Sequence, residues 1–245
     1  MNRIKTVISP VSPPETPSVA AVLVESGVPA DAEVIYRGRN IVARLHCDSG
    51  ADINIKAFRT PHIINRMAYG WWRGSKARRS YDNALQLRRM GIRTPEPYGY
   101  IEEFTAGRLL RRSFFLSEQL PADFTELRHV DRRDDMPALV EALAAFIAGV
   151  HRRGVWMKDL SPGNVMGRRT PAGDYEFALI DINRMAFDTG DLQPLVRSCG
   201  TLLDSEAALT LFAGFYAREL GIDGTRAEET IINRYRKING IHEQI

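Results

Sequence analysis

Residues 157–166, with the sequence MKDLSPGNVM, are the most informative stretch of the chain. Asp159 is followed five residues later by Asn164, and Pro162 and Gly163 lie between them. Proline and glycine favour a tight turn, which would swing the asparagine back towards the aspartate. Apolar residues flank the stretch on both sides. The pattern therefore predicts a polar loop held in an apolar frame.

The segments around this loop predict its structural neighbours. Upstream, MPALVEALAAFIAGVHRRG (136–154) is typical of a long, mostly apolar helix that ends at Gly154. Downstream, YEFALIDINRM (175–185) reads as a buried strand that runs into a polar turn at Asp181. The sequence thus predicts the order helix, polar loop, hairpin and strand ending in an aspartate.

This order fits the centre of a phosphotransferase, which needs positioning, Mg²⁺ and a carboxylate that accepts the proton of the acceptor hydroxyl. Asp159 is the candidate base. Asn164 and Asp181 offer oxygen atoms, which are the ligands that Mg²⁺ prefers. An isolated aspartate and asparagine at this spacing more often cap a turn. The helix before the loop and the strand after it favour the catalytic interpretation.

The N-terminal half predicts a small sheet. EVIYRGRNIVARLHCDSGADINIKAF (33–58) divides into three antiparallel strands at about 33–37, 40–46 and 52–58. A helix follows at 75–90, and two further strands surround the turn TAGR. Residues 1–17 are expected to form an extended arm, because SPVSPPETP (9–17) is rich in proline.

Together these patterns predict an α+β, bilobal fold. The N-terminal lobe, 1–120, would carry a five-stranded antiparallel sheet and one main helix. The C-terminal lobe, 121–245, would be mostly helical and would carry the catalytic and metal-binding loops.

Composition limits the remaining possibilities. The chain has 245 residues, 44% of them hydrophobic and 26% charged, which is ordinary for a globular protein. A formal net charge of +3 is too small to indicate a nucleic-acid partner. Cys47 and Cys199 form neither a disulfide framework nor a zinc motif and are expected to be free thiols. Without an apolar run long enough for a signal peptide or a membrane span, the expected location is cytoplasmic.

The motifs HRRGVWMKDLSPGNVM and FALIDINRM resemble the protein-kinase-like superfamily, and more narrowly the lipopolysaccharide core kinases, which phosphorylate Kdo or heptose sugars. The likeness covers roughly residues 30–220 and includes INIKAFR, GSKARRSYDNALQLRRMGIRTPEPYGYIEE and RSFFLSEQL. The resemblance implies a protein-kinase-like fold, ATP and Mg²⁺ as cofactors, and a sugar acceptor on a lipid-linked saccharide.

The resemblance also assigns roles to residues. It makes Asp159 the catalytic base, Asn164 and Asp181 the Mg²⁺ ligands, and Lys56 the lysine that holds the ATP phosphates. The residues themselves agree on Lys56, since a lysine on an apolar strand needs a partner or a phosphate, although a plain surface lysine is the alternative. Asp82 is the candidate carboxylate partner of Lys56 and takes the place of the usual glutamate, although a solvated helix face is the alternative.

Two further assignments concern ATP. Gly38 and Arg39 in the turn YRGRN would cover the phosphates, although the turn has no G-x-G-x-x-G motif and a solvated turn is the alternative. The backbone of Glu118 and Leu120, between the lobes, would bind adenine; a plain linker is the alternative here.

Other departures bear on the acceptor. Ser161 stands two residues after the base, where Ser/Thr protein kinases carry a lysine, and this favours a sugar or metabolite over a protein hydroxyl. Met157 and Lys158 replace the usual histidine and arginine, and the lost arginine argues against control by activation-loop phosphorylation. Two other functions stay open: a protein kinase for tyrosine or Ser/Thr, and a pseudokinase scaffold.

A cluster of aromatic and basic residues suggests a membrane contact. Trp71 and Trp72 stand among basic residues, a combination that suits a lipid headgroup surface or an anionic acceptor. The protein would then lie on the cytosolic face of the inner membrane. The alternative is that the tryptophans pack on the lobe and the basic residues form a solvated face. The basic residues are Arg73, Lys76, Arg78 and Arg79.

Overall fold

The computed structural model describes residues 3–60, 74–107 and 109–241. The chain divides into two compact units, Met1–Leu120 and Pro121–Ile245. Strands and helices are numbered below in chain order over the described residues.

The described part of the N-terminal unit holds one antiparallel sheet of six strands, in the order β1-β5-β6-β4-β3-β2. Two helices accompany it: α1, Thr16–Glu25, and α2, Lys76–Arg89. The strands are β1 Arg3–Ile8, β2 Glu33–Arg37, β3 Ile41–His46, β4 Asp52–Phe58, β5 Pro97–Phe104 and β6 Leu110–Glu118.

The sheet corrects the prediction of five strands and of an extended arm over residues 1–17. Residues Arg3–Ile8 form the sixth strand and pair with β5, from Arg3 opposite Phe104 to Ile8 opposite Gly99. The proline-rich stretch begins only after this strand, and even there a helix starts at Thr16, because proline is tolerated in the first turn of a helix. Within residues 3–17, only the segment between β1 and α1 lacks regular secondary structure.

The two helices cover opposite faces of the sheet. Helix α1 packs Leu23 into a cluster with Ile55 and Leu116, on the face where these strand residues point. On the other face, Tyr81 of α2 contacts Tyr100 of β5, with their ring centroids 5.4 Å apart. Since side chains alternate along a strand, each face receives its own helix. Strands β5 and β6 are buried along most of their length, whereas the edge strand β2 is exposed.

The C-terminal unit is mainly helical among its described residues. Two small sheets, β10-β9-β7 and β11-β8, lie beside the helices. The strands are β7 Thr125–Glu126, β8 Trp156–Met157, β9 Val165–Arg169, β10 Tyr175–Leu179 and β11 Met185–Ala186. The α-helices are α3 Met136–Arg152, α4 Leu192–Ser198, α5 Glu206–Leu220 and α6 Gly224–Asn239, and short 3₁₀ turns occupy Val130–Arg132 and Cys199–Thr201. No helix within the described ranges has the length and apolar character needed to cross a membrane.

A buried polar contact joins α3 to α5. Nδ1 of His151 lies 2.6 Å from the hydroxyl oxygen of Tyr216, and the Tyr216 ring stacks on Phe212. His151 is 4% exposed, and this burial lowers the pKa of its imidazole to about 4. The folded unit therefore holds His151 in its neutral form at neutral pH.

We expect this histidine to make stability depend on pH. Between pH 6.5 and 4 the imidazole of His151 is protonated in the unfolded chain but stays neutral in the folded chain. The free energy of unfolding should therefore fall as the pH is lowered through this window. The full loss should be about 3 kcal/mol. Urea unfolding of the wild type, His151→Gln and His46→Gln at pH 8 and pH 5 measures it. The wild type and His46→Gln should lose the same amount of unfolding free energy between pH 8 and pH 5. An equal loss in His151→Gln would contradict the assignment to His151.

A second expectation concerns Gly99, where β1 meets β5. A Cβ at this position would collide with the backbone carbonyl of Val7, so Gly99→Ala should displace β1 and cost about 1–3 kcal/mol. Gly214 on α5 is the matched control, since a Cβ there meets nothing and alanine is the better helix former. Thermal unfolding should show a lowered Tm for Gly99→Ala and an equal or raised Tm for Gly214→Ala.

Candidate active site

The polar loop between β8 and β9 is closed by two hydrogen bonds of Asn164. Its backbone N–H donates to the carbonyl oxygen of Ser161 at 3.0 Å. Its side-chain Nδ2 donates to the backbone carbonyl oxygen of Asp159 at 2.8 Å. The turn made by Pro162 and Gly163 thus returns Asn164 to Asp159, as the sequence predicts.

Backbone pairing brings Asn164 next to Asp181. Strands β9 and β10 are antiparallel neighbours, with Val165 opposite Leu179. The pairing continues one step further, because the N–H of Ile180 donates to the carbonyl oxygen of Asn164 at 2.9 Å. Asp181 follows directly. Asp159, Asn164 and Asp181 are therefore neighbours in the folded C-terminal unit.

Asp181 has an unusual backbone and a fixed side chain. Its φ is 52°, in the left-handed region that few residues other than glycine, asparagine and aspartate adopt. Nδ2 of Asn183 donates to Oδ1 of Asp181 at 2.6 Å, and Asn183 is buried. Asn183 therefore orients the carboxylate of Asp181. The sequence marks this turn only as polar and gives no sign of the hydrogen bond.

Arg184 lies beside Asp159. Its guanidinium NH1 is 3.6 Å from Oδ2 of Asp159, and both side chains are more than half exposed. The backbone of Arg184 is held separately, since its carbonyl oxygen accepts a hydrogen bond from the N–H of Lys158 at 3.0 Å. The pairing of β8 with β11, in which Met157 lies opposite Met185, continues this contact.

Two distant segments support the loop from outside. The hydroxyl of Thr201 donates to the carbonyl oxygen of Leu160 and also lies 2.9 Å from that of Ser198. The N–H of Leu127 donates to the carbonyl oxygen of Pro162 at 2.9 Å. The sequence analysis missed Thr201 and Leu127, because contacts between residues about 40 positions apart leave no local pattern.

Lys56 and Asp82 lie in the N-terminal unit. Lys56 is on β4 between Val42 and Phe115, and its Nζ is 5.6 Å from the ring centroid of Phe58. Its partner Phe115 lies opposite Tyr100, so Lys56 is on the face of the sheet that α2 covers. Asp82 on α2 is exposed, with Oδ2 3.4 Å from Nε of Arg78. The pairing of Lys56 with Asp82 stays a prediction.

The predicted nucleotide-binding residues also lie in this unit. The N–H of Gly38 donates to the carbonyl oxygen of Asn40 at 3.0 Å, and Arg39 is exposed. The N–H of Glu118 donates to the carbonyl oxygen of Glu96 at 2.8 Å, and the carbonyl of Leu120 accepts a hydrogen bond from Gln119. Their contacts with ATP stay predictions.

The aromatic and basic cluster is described only in part. Trp71, Trp72 and Arg73 lie outside the described residues. Lys76, Arg78 and Arg79 are on the first turn of α2, where the hydroxyl of Ser75 accepts the N–H of Arg78 at 3.0 Å. Ser75 therefore caps the start of α2.

Comparison with solved structures identifies the fold. A structure described as WaaP in complex with acyl carrier protein matches with a TM-score of 0.58 at 19% identity, covering 98% of this chain and 100% of that one. The Rio2 kinase from Chaetomium thermophilum, in an ADP/Mg²⁺-phosphoaspartate complex, matches with a TM-score of 0.52 at 13% identity, covering 92% of this chain and 70% of that one. The chain has an α+β, protein-kinase-like fold.

The sequence identifies the family within this fold. The model of the lipopolysaccharide kinase (Kdo/WaaP) family matches residues 59–216, which is more than half of the chain. The chain belongs to this family of phosphotransferases, and the resemblance indicated by its motifs is confirmed. No curated protein sequence matches significantly.

The support of the loop by Thr201 can be tested directly. Thr201→Val removes the hydroxyl and leaves the buried Leu160 carbonyl without this donor, which should cost about 1–3 kcal/mol. Thr201→Ser keeps the donor and should stay within about 1 kcal/mol of the wild type. Urea unfolding measures both, and hydrogen exchange of residues 159–164 should quicken in the valine variant alone. Equal stability of the two variants would contradict this role.

Proposed function

We propose that the chain transfers the γ-phosphoryl group of ATP to a hydroxyl of a lipopolysaccharide inner-core sugar, Kdo or heptose. The observation that carries the proposal is the close grouping of Asp159, Asn164 and Asp181 by backbone pairing and loop hydrogen bonds. Membership of the lipopolysaccharide kinase family supports the class of acceptor. Fold similarity alone would leave the acceptor undefined.

Asp159 is the proposed catalytic base. Its side chain is 51% exposed, so a hydroxyl group of an acceptor can approach its oxygens from solvent. The backbone carbonyl of the same residue is tied to Asn164, which fixes the carboxylate relative to the rest of the loop. Its role is to accept the hydroxyl proton as the oxygen attacks phosphorus.

Asn164 and Asp181 are the proposed Mg²⁺ ligands, and their atoms fit this role. Nδ2 of Asn164 is used in the bond to Asp159, so its Oδ1 remains on the other side of the amide as an oxygen ligand. Asp181 adds a carboxylate that Asn183 orients. An amide oxygen beside a carboxylate is a donor set for a hard cation. Bound Mg²⁺ neutralises charge on the ATP phosphates.

The ATP contacts are proposed for the N-terminal unit. Lys56 would bind the phosphates, with Asp82 as its carboxylate partner, and Gly38 and Arg39 would cover them. The N–H of Glu118 is already bonded to Glu96. Its carbonyl oxygen accepts a hydrogen bond from the Ser117 hydroxyl at 3.2 Å and has a second lone pair that would accept the amino group of adenine. Leu120 would supply the second backbone contact.

The proposed acceptor is a lipid-linked saccharide. Ser161 replaces the lysine of Ser/Thr protein kinases, which favours a sugar hydroxyl over a protein hydroxyl. The structure of WaaP, to which this chain is similar, is a complex with acyl carrier protein, whose name indicates a carrier of acyl chains. Lys76, Arg78 and Arg79 would draw the protein to the anionic cytosolic surface of the inner membrane as a peripheral contact.

The decisive experiment is an assay of phosphate transfer. Radiolabelled ATP and Mg²⁺ are incubated with lipopolysaccharide lacking inner-core phosphate, and in parallel with generic peptides. The wild type should label the saccharide. Asp159→Asn and Asp181→Asn should lose at least ~10³-fold in kcat through loss of the base and of a metal ligand.

Asparagine is the chosen replacement at 181 because it tolerates a positive φ, so lost activity reports the carboxylate and not the fold. Asp134→Asn, a change at an exposed aspartate, is the control and should keep wild-type rates. Labelling of peptides alone would indicate a protein kinase. Stabilisation by Mg²⁺-ATP without transfer to either acceptor would indicate a pseudokinase scaffold.

A further inference from the structure

The loop lacks one positive charge that its chemistry calls for. Ser161 occupies the position where Ser/Thr protein kinases carry a lysine, and serine cannot neutralise charge on the phosphoryl group in transfer. The transition state of phosphoryl transfer carries negative charge on its equatorial oxygens, and cations placed there lower the barrier. A further cation near the base would add to the charge that Mg²⁺ and Lys56 are proposed to supply.

Among the described residues, Arg184 makes the ion pair with the proposed base. Its NH1 lies 3.6 Å from Oδ2 of Asp159, too far for a hydrogen bond, so the carboxylate remains available to a hydroxyl proton. The Arg184 side chain is 64% exposed, and a ligand can reach the donors that do not face Asp159. An exposed ion pair of this kind contributes little to stability, at most about 1 kcal/mol.

Two neighbouring cations have other partners. Nζ of Lys158 lies 5.1 Å from the ring centroid of Trp156. Nε of Arg128 lies 2.5 Å from Oε2 of Glu126, and this ion pair lies next to Gly163 of the loop. Their arrangement leaves Arg184 as the residue whose guanidinium faces the proposed base.

The turn itself does not require this side chain. The carbonyl oxygen of Arg184 accepts the N–H of Lys158, and Met185 pairs with Met157 in the short sheet. Both contacts are made by backbone atoms and survive a change of side chain. Neither contact requires the Arg184 side chain, which leaves its guanidinium free of a structural role in the turn.

We propose that Arg184 is a catalytic residue that binds the oxygens of the phosphoryl group in transfer and supplies the charge that Ser161 cannot. The inference rests on the proposed function. A bond forms between the acceptor oxygen and phosphorus, the bond to the bridging oxygen of ADP breaks and its electron pair leaves with ADP, and the hydroxyl proton goes to Asp159. During the transfer, the guanidinium donors that do not face Asp159 bind the phosphoryl oxygens.

The test compares Arg184→Ala and Arg184→Lys with Arg218→Ala. Arg218 is a matched control because it is 59% exposed and has one ionic partner, Glu141, away from the loop. We expect Arg184→Ala to lower kcat about 10²–10³-fold, with the KM for ATP and the Tm little changed. Arg184→Lys should recover part of the rate, and guanidinium ion at a concentration that does not unfold the protein should partly rescue Arg184→Ala. Arg218→Ala should show the wild-type rate and no rescue.

A second comparison separates catalysis from mere positioning of Asp159. If Arg184 acts on the phosphoryl group, Arg184→Ala should lower the residual rate further in the Asp159→Asn background. No further loss in that background, or a kcat of Arg184→Ala within about threefold of the wild type, would overturn the proposal.

Failure of the proposed function has its own signature. A wild type that labels no saccharide refutes the acceptor. In that case, the rates of Mg²⁺-dependent ATP hydrolysis in the absence of an acceptor are compared between the wild type and the same variants, which tests Arg184 separately. A wild type inactive in both assays overturns both proposals.

Discussion

The candidate site depends on one backbone hydrogen bond, from the N–H of Ile180 to the carbonyl oxygen of Asn164. It extends the ladder between β9 and β10 by one step and so joins the end of the polar loop to the start of the aspartate turn. The register is held by burial, because Val165 and Leu179 are both almost fully buried and a slip of one residue would turn them outward. Apolar packing thus sets the spacing of three polar side chains.

Sequence reasoning succeeded where the information is local. Strand β4 has the predicted bounds and helix α2 lies within one residue of them at each end, since alternation and helical periodicity are properties of short windows. The grouping of Asp159 with Asn164 was likewise encoded in a proline–glycine turn. What the sequence could not reveal is long-range: β1 pairs with a strand about 90 residues away, Thr201 reaches Leu160 across about 40, and the positive φ of Asp181 has no sequence signature.

The loop residues that differ from the protein-kinase pattern lie between two backbone pairings, β8–β11 and β9–β10. Ser161 removes a positive charge, Lys158 in place of arginine keeps one, and Met157 is a buried apolar side chain. Backbone pairing is insensitive to the charge of outward-facing residues, so a kinase-like chain can redistribute its cations without refolding. In this chain the cation beside Asp159 is Arg184, which follows the end of β10.

The left-handed backbone at Asp181 affects which substitutions this position can accept during evolution. Asparagine and glycine, the residues most at ease with a positive φ, are each one nucleotide away from either aspartate codon. Both changes delete the negative charge and leave the main chain unstrained. A single-nucleotide change at this codon can therefore produce descendants that keep a well-packed protein but lack the carboxylate at position 181.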